Sequence, residues 1–566
     1  MIWVTRKRGE YVADFETTTD KDDCRVWGYG LMSVDNHDVF SIGSDLNEFM
    51  EYCEQLKTDI YFHNLRFDGS FIVNWLYRNG FSYSDIPYPN TFNTMISKMN
   101  QWYSIQVVYD TDKSGRPIHT TFFDSLKKLP FSVDMIAKTY NLDTLKGSID
   151  YTKYRPVDHV ITDEEYAYIY TDVHIMAQAL KLQIEKGLKG ITIGSDALKD
   201  FKKIIGRKLF DFNYPILDKS IDDDIRKAYK GGFTWLNKEH QEKEIKGGQV
   251  YDVNSLYPFI MYSRQLPYGK PVFFKGEYVQ DDQYPLYIQH VKCVFNIKPN
   301  KIPTIQIKQN LMFGENEYLE SSKGQEVDLY VTNVDLDLIK EHYNLEYIVY
   351  MSGYKFKQKQ GIFKEYIDKW SKEKIEKSGG EKLLAKLMLN NLYGKFATNP
   401  DITGKIPILD DDGKINMQLG ESEERDPVYT PLGVFITSYA REYTIRTAQQ
   451  LHHRIIYCDT DSIHLTGTEL PHDILDLIDP DKLGYWAFEG QYKKGKYLRQ
   501  KTYMHVDMTD DKGNTFNDVK CAGMPDNIKD KVTYENFKVG FSSHGKLIPT
   551  QVSGGVVLID TEFTIR

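Results

Sequence analysis

The sequence predicts a multidomain protein of mixed α/β and α+β class, and three observations carry that prediction. At 566 residues the chain is too long for one hydrophobic core, and roughly 100–200 residues per domain gives about three to five domains. Its first third alternates strand-like runs with helical patterns. The remainder mixes a strongly helical block with short strands set around turn signals, and 41% hydrophobic with 14% aromatic residues excludes wholesale disorder.

In chain order, "YVADFETTT", "DIYFHNL" and "HTTFFDSL" read as strands and 163–186 as a helix, which makes 1–190 an α/β domain. The Gly-Gly pair of "AYKGGFTW" (228–235) marks a hinge. "VYDVNSLYPFIMY" (250–262) is a strand closed by a proline turn, and 264–361, rich in Pro and Tyr, reads as an insertion. Residues 362–395 form two helices broken at Ser378-Gly379-Gly380. Then come a hairpin over 405–420 around Asp-Gly, a helix over 430–450, a strand pair over 453–466 and a β-rich tail over 532–566. Repeats and low-complexity tracts are absent.

Five scattered cysteines without a CxxC pair argue against a disulfide framework or a zinc site. "MIWVTRKRGEYVADFE" lacks a signal-like apolar core and no window is apolar enough to span a bilayer, so a cytoplasmic protein with no membrane association is expected. The net charge of −10 speaks against nucleic acid as a whole-chain average. The distribution reverses that: residues 355–395 hold 11 lysines against 5 acidic residues, and "KKGKYLRQK" (493–501) adds a second basic cluster, together a channel for phosphates or, read blandly, solvated helix faces. The 41 tyrosines suit base stacking as well as core packing.

Two acidic constellations carry chemistry. In "ADFETTT", Asp14 and Glu16 are two apart on a strand and share a face. "FHNLRFDGSF" supplies Asp68, and "YAYIYTD" places Tyr168 and Asp172 one helical turn apart. Four converging carboxylates repel unless divalent cations lie between them, and hard oxygen donors suit Mg²⁺, with Mn²⁺ as the alternative. Two such ions activate a water and stabilise a leaving phosphodiester oxygen, with Tyr168 placed to orient the water. In the second constellation, "RIIYCDTDSIHL" (454–465) sets Asp459 and Asp461 in an apolar strand pair, and Asp252 ends another apolar strand. Buried carboxylates are costly without a partner, and neighbouring strands sharing a metal pair would make the burial tolerable.

"KLLAKLMLNNLYGKF" (382–396) is a helix with Lys386, Asn390 and Tyr393 on one stripe and Leu384, Leu387 and Met388 on an adjacent apolar face. An ammonium, an amide and a phenol together fit a nucleotide: charge for the triphosphate, ring for the base.

The first constellation resembles the tyrosine-bearing DEDD 3′–5′ exonucleases, with all four acidic positions filled. The resemblance implies that Asn64 and Phe67 hold a single-stranded 3′ end beside Ser125 and Leu126, and that Lys146 contacts the scissile phosphate. "DVNSLYP" with "YCDTDS" resembles motifs A and C of the family B DNA polymerases, and the helix stripe resembles their K-x3-N-S-x-Y-G pattern, with Asn391 where serine is common. This implies Asp252 and Asp461 as ligands of two metal ions, the Val253 carbonyl completing the shell, and Asp459 close by in a less direct role. Tyr257 would exclude a ribose 2′-hydroxyl. Lys501 and Tyr503 resemble the K-x-Y grip on the primer terminus, Thr437 and Arg441 a template contact, and Tyr229, Gly231 and Gly232 the Y-x-G-G element, whose small residues admit a phosphate strand.

Along nearly the whole chain, "FHNLRFDG", "GGFTWLN", "LMLNNLYGKF", "KYLRQKTY" and "GGVVLID" resemble the protein-primed DNA polymerases of phi-twenty-nine type Bacillus phages. The resemblance implies a ribonuclease H-like exonuclease domain (1–190), palm (191–263 and 426–522), fingers (362–397), thumb (523–566) and two palm insertions (264–361 and 398–425). It further implies two ions per active site and a monomer in the cytoplasm of an infected bacterial host. The implied partners are template-primer DNA, deoxynucleoside triphosphates and a priming terminal protein, for processive, strand-displacing synthesis. The stretch 507–518 is shorter than the group leads one to expect. A nuclease-only enzyme or a silent scaffold would let acids drift in one or both constellations, and none of the seven is missing.

Overall fold

The computed structural model describes residues 9–140, 147–307, 314 and 317–566. Near the N-terminus an eight-stranded sheet runs in the order Phe40–Gly43, Val26–Ser33, Glu10–Thr17, Asp59–Phe62, Pro117–Asp124, Trp102–Thr111, Thr91–Ile96, Ser82–Tyr83. Glu10–Thr17 sits inside it, antiparallel to Val26–Ser33 and parallel to Asp59–Phe62. Phe15, Phe49 and Phe62 meet edge to face in the core beside it. The helix Asp163–Glu185 packs over Glu10–Thr17 and Val26–Ser33, its start set by reciprocal capping between Thr162 and Glu165.

A seven-stranded antiparallel sheet forms the centre: Thr515–Cys521, Thr502–Asp510, Trp486–Arg499, Glu244–Val253, Ser462–Thr466, Ile455–Asp459, Thr234–Leu236. The long helix Thr430–Gln450 shares one core with it, joining Phe435 and Ile445 to Leu256, Leu384 and Trp486. Within 264–361 a four-stranded sheet of Leu266–Lys275, Tyr343–Lys359, Leu286–Ile297 and Val327–Thr332 and the helix Asn333–His342 enclose a core of their own, while Leu266, Leu286, Ile288, Leu338 and Phe356 join the central one.

The helical block is a pair, Lys364–Glu376 and Gly379–Asn391, parted where expected. The two glycines there do different work. Gly379 takes φ 56°, and a Cβ on Gly380 would lie 2.4 Å from the ring of Tyr140, so the tip abuts the N-terminal domain. Of three helices that periodicity did not single out, Ile193–Ile205 packs on this pair, with Phe201 stacked on Phe363 at 4.6 Å, Arg207–Asn213 packs on Ile193–Ile205, and Lys219–Arg226 packs on Thr430–Gln450.

Lys405–Leu409 pairs with Ile415–Leu419, and Ser542–Val552 with Gly555–Thr564. Both hairpin tips reach the helix Leu65–Arg78: Asn74 Nδ2 donates to the Gly413 carbonyl at 2.9 Å, and Arg78 Nη2 to Ser553 Oγ at 2.8 Å. Residues 507–518 form a tight hairpin end in which Asp510 Oδ1 accepts from the Asn514 amide at 2.8 Å.

Candidate functional site

The N-terminal acidic set is assembled by strand alternation and close helix packing. Asp14 lies opposite Gly30 and Glu16 opposite Gly28 on the neighbouring strand. A Cβ on Gly30 would come within 2.7 Å of Ile169 Cγ2, and one on Gly28 within 3.1 Å of Ile169 Cδ1. The glycines thus let the helix Asp163–Glu185 seat low enough to bring Tyr168 and Asp172 over the acidic pair. Burial, Asp172 and Glu16 all raise the Tyr168 phenol, and its hydroxyl lies 2.6 Å from that of Tyr151. Asp68 enters from the helix Leu65–Arg78. Burial and then Asp14 push its carboxyl well above the ordinary value, against the backbone amides of Asp68 itself and Phe15. Asp14 and Asp172 line one cavity of about 280 Å³ with His63 and Ser132.

Asn64 is exposed, in left-handed conformation (φ 77°), with Phe67 and Leu126 half-buried near it. Asp124, which the sequence reading passed over, ties them together: its Oδ1 accepts from the amides of Asn64 and Leu126, both at 3.0 Å. Ser125 departs from expectation. It is buried, its hydroxyl donates to the Phe62 carbonyl at 3.0 Å and meets His63 Nδ1 at 3.0 Å, so it supports this surface from beneath. Lys146 lies outside the described residues.

In the central sheet Asp252 stands opposite Ser462, and the Val253 amide donates to the Asp461 carbonyl at 2.7 Å. The turn carrying Asp461 is pinned on three sides: Thr460 takes φ 62°, its amide donates to the Phe233 carbonyl at 2.7 Å, and its carbonyl accepts from Thr444 Oγ1 at 2.6 Å. Burial, Asp461 and Glu489 push the Asp252 carboxyl up to about 8, with Lys386 opposing. Burial and Asp459 raise Asp461, with its own backbone amide, Lys386 and Lys501 opposing. Asp459 turns elsewhere. Its carboxylate accepts from Lys501 Nζ at 2.8 and 2.9 Å, Tyr457 OH at 3.0 Å and Thr234 Oγ1 at 3.0 Å.

Tyr257 and Tyr393 stack face to face at 3.9 Å and 13°. The helix bearing Lys386 and Asn390 ends at Asn391 and a short turn, Tyr393–Phe396, follows. Lys386 and Asn390 are exposed while Leu384, Leu387 and Met388 are buried, as the stripe predicts. The structure adds residues that periodicity could not nominate. Lys374 Nζ donates to Asn254 Oδ1 at 3.0 Å and Ser255 Oγ at 3.1 Å, and burial, Lys386 and Lys382 lower its ammonium. Lys138, Lys374, Lys382 and Lys386 line a cleft of about 360 Å³, a local concentration of positive charge. Glu489 joins the acidic pair from the adjoining strand.

Thr437 and Arg441, expected at a template contact, are both buried among protein partners. Thr437 donates to the Gly433 and Val434 carbonyls of its own helix. Arg441 is held by Asp335 at 2.7 Å and clamps the Lys230 and Gly231 carbonyls at 2.9 and 3.0 Å. Of the two glycines after Tyr229, Gly231 borders open space, but a Cβ on Gly232 would fall 2.5 Å from Thr460 Oγ1. Gly232 therefore gives the pinned turn the room it needs. Tyr229 is half-buried, and Tyr503 packs among Tyr457, Tyr497 and His505.

Both acidic sets offer hard oxygen donors, and carboxyls raised by burial and by one another are what a divalent cation would relieve. Among the described residues no three His, Cys, Asp or Glu side chains are gathered closely enough to hold a metal ion as they stand.

Comparisons with known proteins converge. The family model described as DNA polymerase type B, organellar and viral, matches residues 50–158 and 144–480. The chain is 56% identical to the DNA polymerase of Bacillus phage phi29, covering 99% of each chain, and 56% identical to that of Bacillus phage M2, covering 99% of this chain and all of the other. The DNA polymerase of Streptococcus phage Cp-1 is 37% identical over 98% of both. A solved phi29 DNA polymerase complexed with primer-template DNA and incoming nucleotide substrates superposes with a TM-score of 0.96 at 55% identity, covering 99% of this chain and 100% of that one.

Proposed function

The chain belongs to the organellar and viral type B DNA polymerases and is a DNA polymerase of the phi29 type, and from that premise we propose that it copies a linear phage genome from a protein primer and proofreads its own product. The observation that carries the synthetic half is the adjacency of Asp252 and Asp461 across two antiparallel strands. In this reading Asp252, Asp461 and the Val253 carbonyl would hold two Mg²⁺ ions, or Mn²⁺, which would lower the charge of the triphosphate and favour ionisation of the primer 3′-hydroxyl. Lys386, Lys374 and Lys382 draw the triphosphate into the lysine cleft, with Glu489 beside them. Tyr257, stiffened by its stack on Tyr393, forms a floor that a 2′-hydroxyl would strike. Lys501 and Tyr503 grip the primer end, Lys501 being aligned by Asp459.

In the N-terminal domain Asp14, Glu16, Asp68 and Asp172 would hold a second pair of ions. There Tyr168 orients the attacking water, and Asn64, Phe67 and Leu126 receive a frayed 3′ end. The 1–190 segment is then the exonuclease domain, with palm, fingers, thumb and insertions divided as the sequence divides them.

For processive, strand-displacing synthesis the support is a pair of hairpins anchored on the N-terminal domain. Tyr77 OH donates to the Pro407 carbonyl at 2.6 Å and Gln551 Nε2 to Ser70 Oγ at 3.0 Å, so both hairpins lean on one helix of the N-terminal domain. Template-primer DNA and deoxynucleoside triphosphates are the proposed partners. The terminal protein, docking on the 264–361 sheet, rests on the family likeness alone. No helix among the described residues is long and apolar enough to cross a membrane. A monomer working in the infected host's cytoplasm completes the reading.

The deciding experiment supplies Mg²⁺, deoxynucleotide and free terminal protein. Formation of a nucleotide bond to a terminal-protein hydroxyl is expected, and extension of ordinary DNA primers alone would remove protein priming.

A further inference from the structure

Residues 147–162 cross above the N-terminal acidic set with almost no regular secondary structure, yet they carry Tyr151, whose hydroxyl lies 2.6 Å from that of Tyr168. Something must hold that loop. Arg155 is only 3% exposed, unusual for an arginine in an irregular segment. Its Nε donates to Glu165 Oε1 at 2.7 Å, and its Nη1 donates to the Asp150 and Lys153 carbonyls, both at 3.1 Å. Its guanidinium lies 4.1 Å from the ring of Trp27, itself buried, and its own carbonyl accepts from Arg25.

One side chain therefore ties the turn around Tyr151 to the first turn of the helix that bears Tyr168 and Asp172. The far end is equally firm. The other Glu165 oxygen accepts from His159 Nε2 at 2.7 Å and from the Thr162 amide at 3.1 Å. Trp27 immediately precedes Gly28, the residue opposite Glu16, so the guanidinium also rests on the strand that faces the acidic pair. Only a planar, forked cation can reach a carboxylate and two carbonyls while lying on an indole.

We propose that Arg155 is a positioning residue for 3′–5′ digestion, pegging the Asp150–Lys153 turn so that the Tyr151 hydroxyl holds the Tyr168 hydroxyl over Glu16 and Asp172. This rests on reading the N-terminal acidic set as an exonuclease site.

The test uses the full chain in four altered forms: Arg155→Lys, which keeps the charge but loses the fork; Arg155→Met with Glu165→Gln, which removes both charges together; Tyr151→Phe; and Arg155→Lys combined with Tyr151→Phe. Each preparation is assayed with Mg²⁺ for maximal digestion rate and half-saturating concentration of a single-stranded oligonucleotide, and for primer extension. Arg155→Lys should lower the maximal rate by about ten- to a hundredfold, the scale set by misplacing a catalytic group by about 1 Å. Extension should be unchanged, and the change should add nothing further in the Tyr151→Phe chain. Digestion at the native rate, losses that multiply with Tyr151→Phe, or loss of extension in both Arg155 variants would each overturn the proposal. The double change Asp14→Ala with Glu16→Ala separates the two levels: if that chain still digests DNA the exonuclease reading itself fails, and if it is inert while Arg155→Lys is normal only the role of Arg155 fails.

Discussion

Asp252 and Asp461 approach each other through the backbone: the residue after the first donates its amide to the carbonyl of the second at 2.7 Å, and the Asp461 charge helps raise the Asp252 carboxyl. Changing Asp461 to Ala should abolish primer extension while leaving digestion of a single-stranded 3′ end. Asp14→Ala combined with Glu16→Ala should do the reverse. Gel assays of both activities on one preparation check this, and a chain folded but inert in both would dissolve the division into two sites.

The Tyr257–Tyr393 stack sets a second expectation. Tyr257→Val should raise ribonucleotide incorporation relative to deoxynucleotide by at least about tenfold, a change of ~1.4 kcal/mol in discrimination. Competition between the two nucleotides on one template measures it, and an unaltered ratio removes Tyr257 from that role.

Gly231 and Gly232 should separate cleanly. Gly232→Ala drives a Cβ to within 2.5 Å of Thr460 Oγ1 and disturbs the turn that carries Asp461, at about 1–3 kcal/mol for such overpacking. Extension should fall sharply with digestion retained. Gly231→Ala meets open space, so its melting temperature should match the unaltered chain, and a lowered one would contradict the geometry.

Gly30→Ala tests the seat of the helix Asp163–Glu185. The added Cβ meets Ile169 Cγ2 at 2.7 Å, so digestion should weaken without loss of extension, and adding Ile169→Ala should restore part of it. Identical digestion rates in the single and double variants would show that close packing there is irrelevant to the chemistry.

A pH dependence follows from Asp252. Burial and Asp461 raise its carboxyl from the ordinary 3.8 to about 8. Between those values the metal-free folded chain keeps a proton that the unfolded chain releases, so stability falls as pH rises across that window. A cation binds only the ionised pair, and its stabilising effect should grow from pH 6 to about 8 and level off above. Melting temperatures with and without Mg²⁺, measured in the Asp14→Ala, Glu16→Ala background, should show the widening gap. Asp461→Asn should flatten it.

Much of the local arrangement of both acidic sets could be read without coordinates. Alternation along one strand put Asp14 and Glu16 on a common face, one helical turn put Tyr168 above Asp172, and a single stripe joined Lys386 to Asn390. Such spacings are properties of the backbone and hold wherever the element ends up. The residues that escaped notice, Lys374, Glu489 and Asp124, are single charged groups on ordinary amphipathic elements, and no local pattern distinguishes them from a solvated face.

What the sequence determined alone is the kind of chemistry: which oxygen and nitrogen donors exist, and which of them must travel together on a strand or a helix. Tertiary packing decided who meets whom. It turned Asp459 toward Lys501, sank Arg441 against Asp335, hid Ser125, and assigned Gly232 to Thr460 instead of to a ligand. The reason is physical: periodicity fixes the direction of a side chain relative to its own element, whereas burial and pairing depend on the element packed against it from a distant part of the chain.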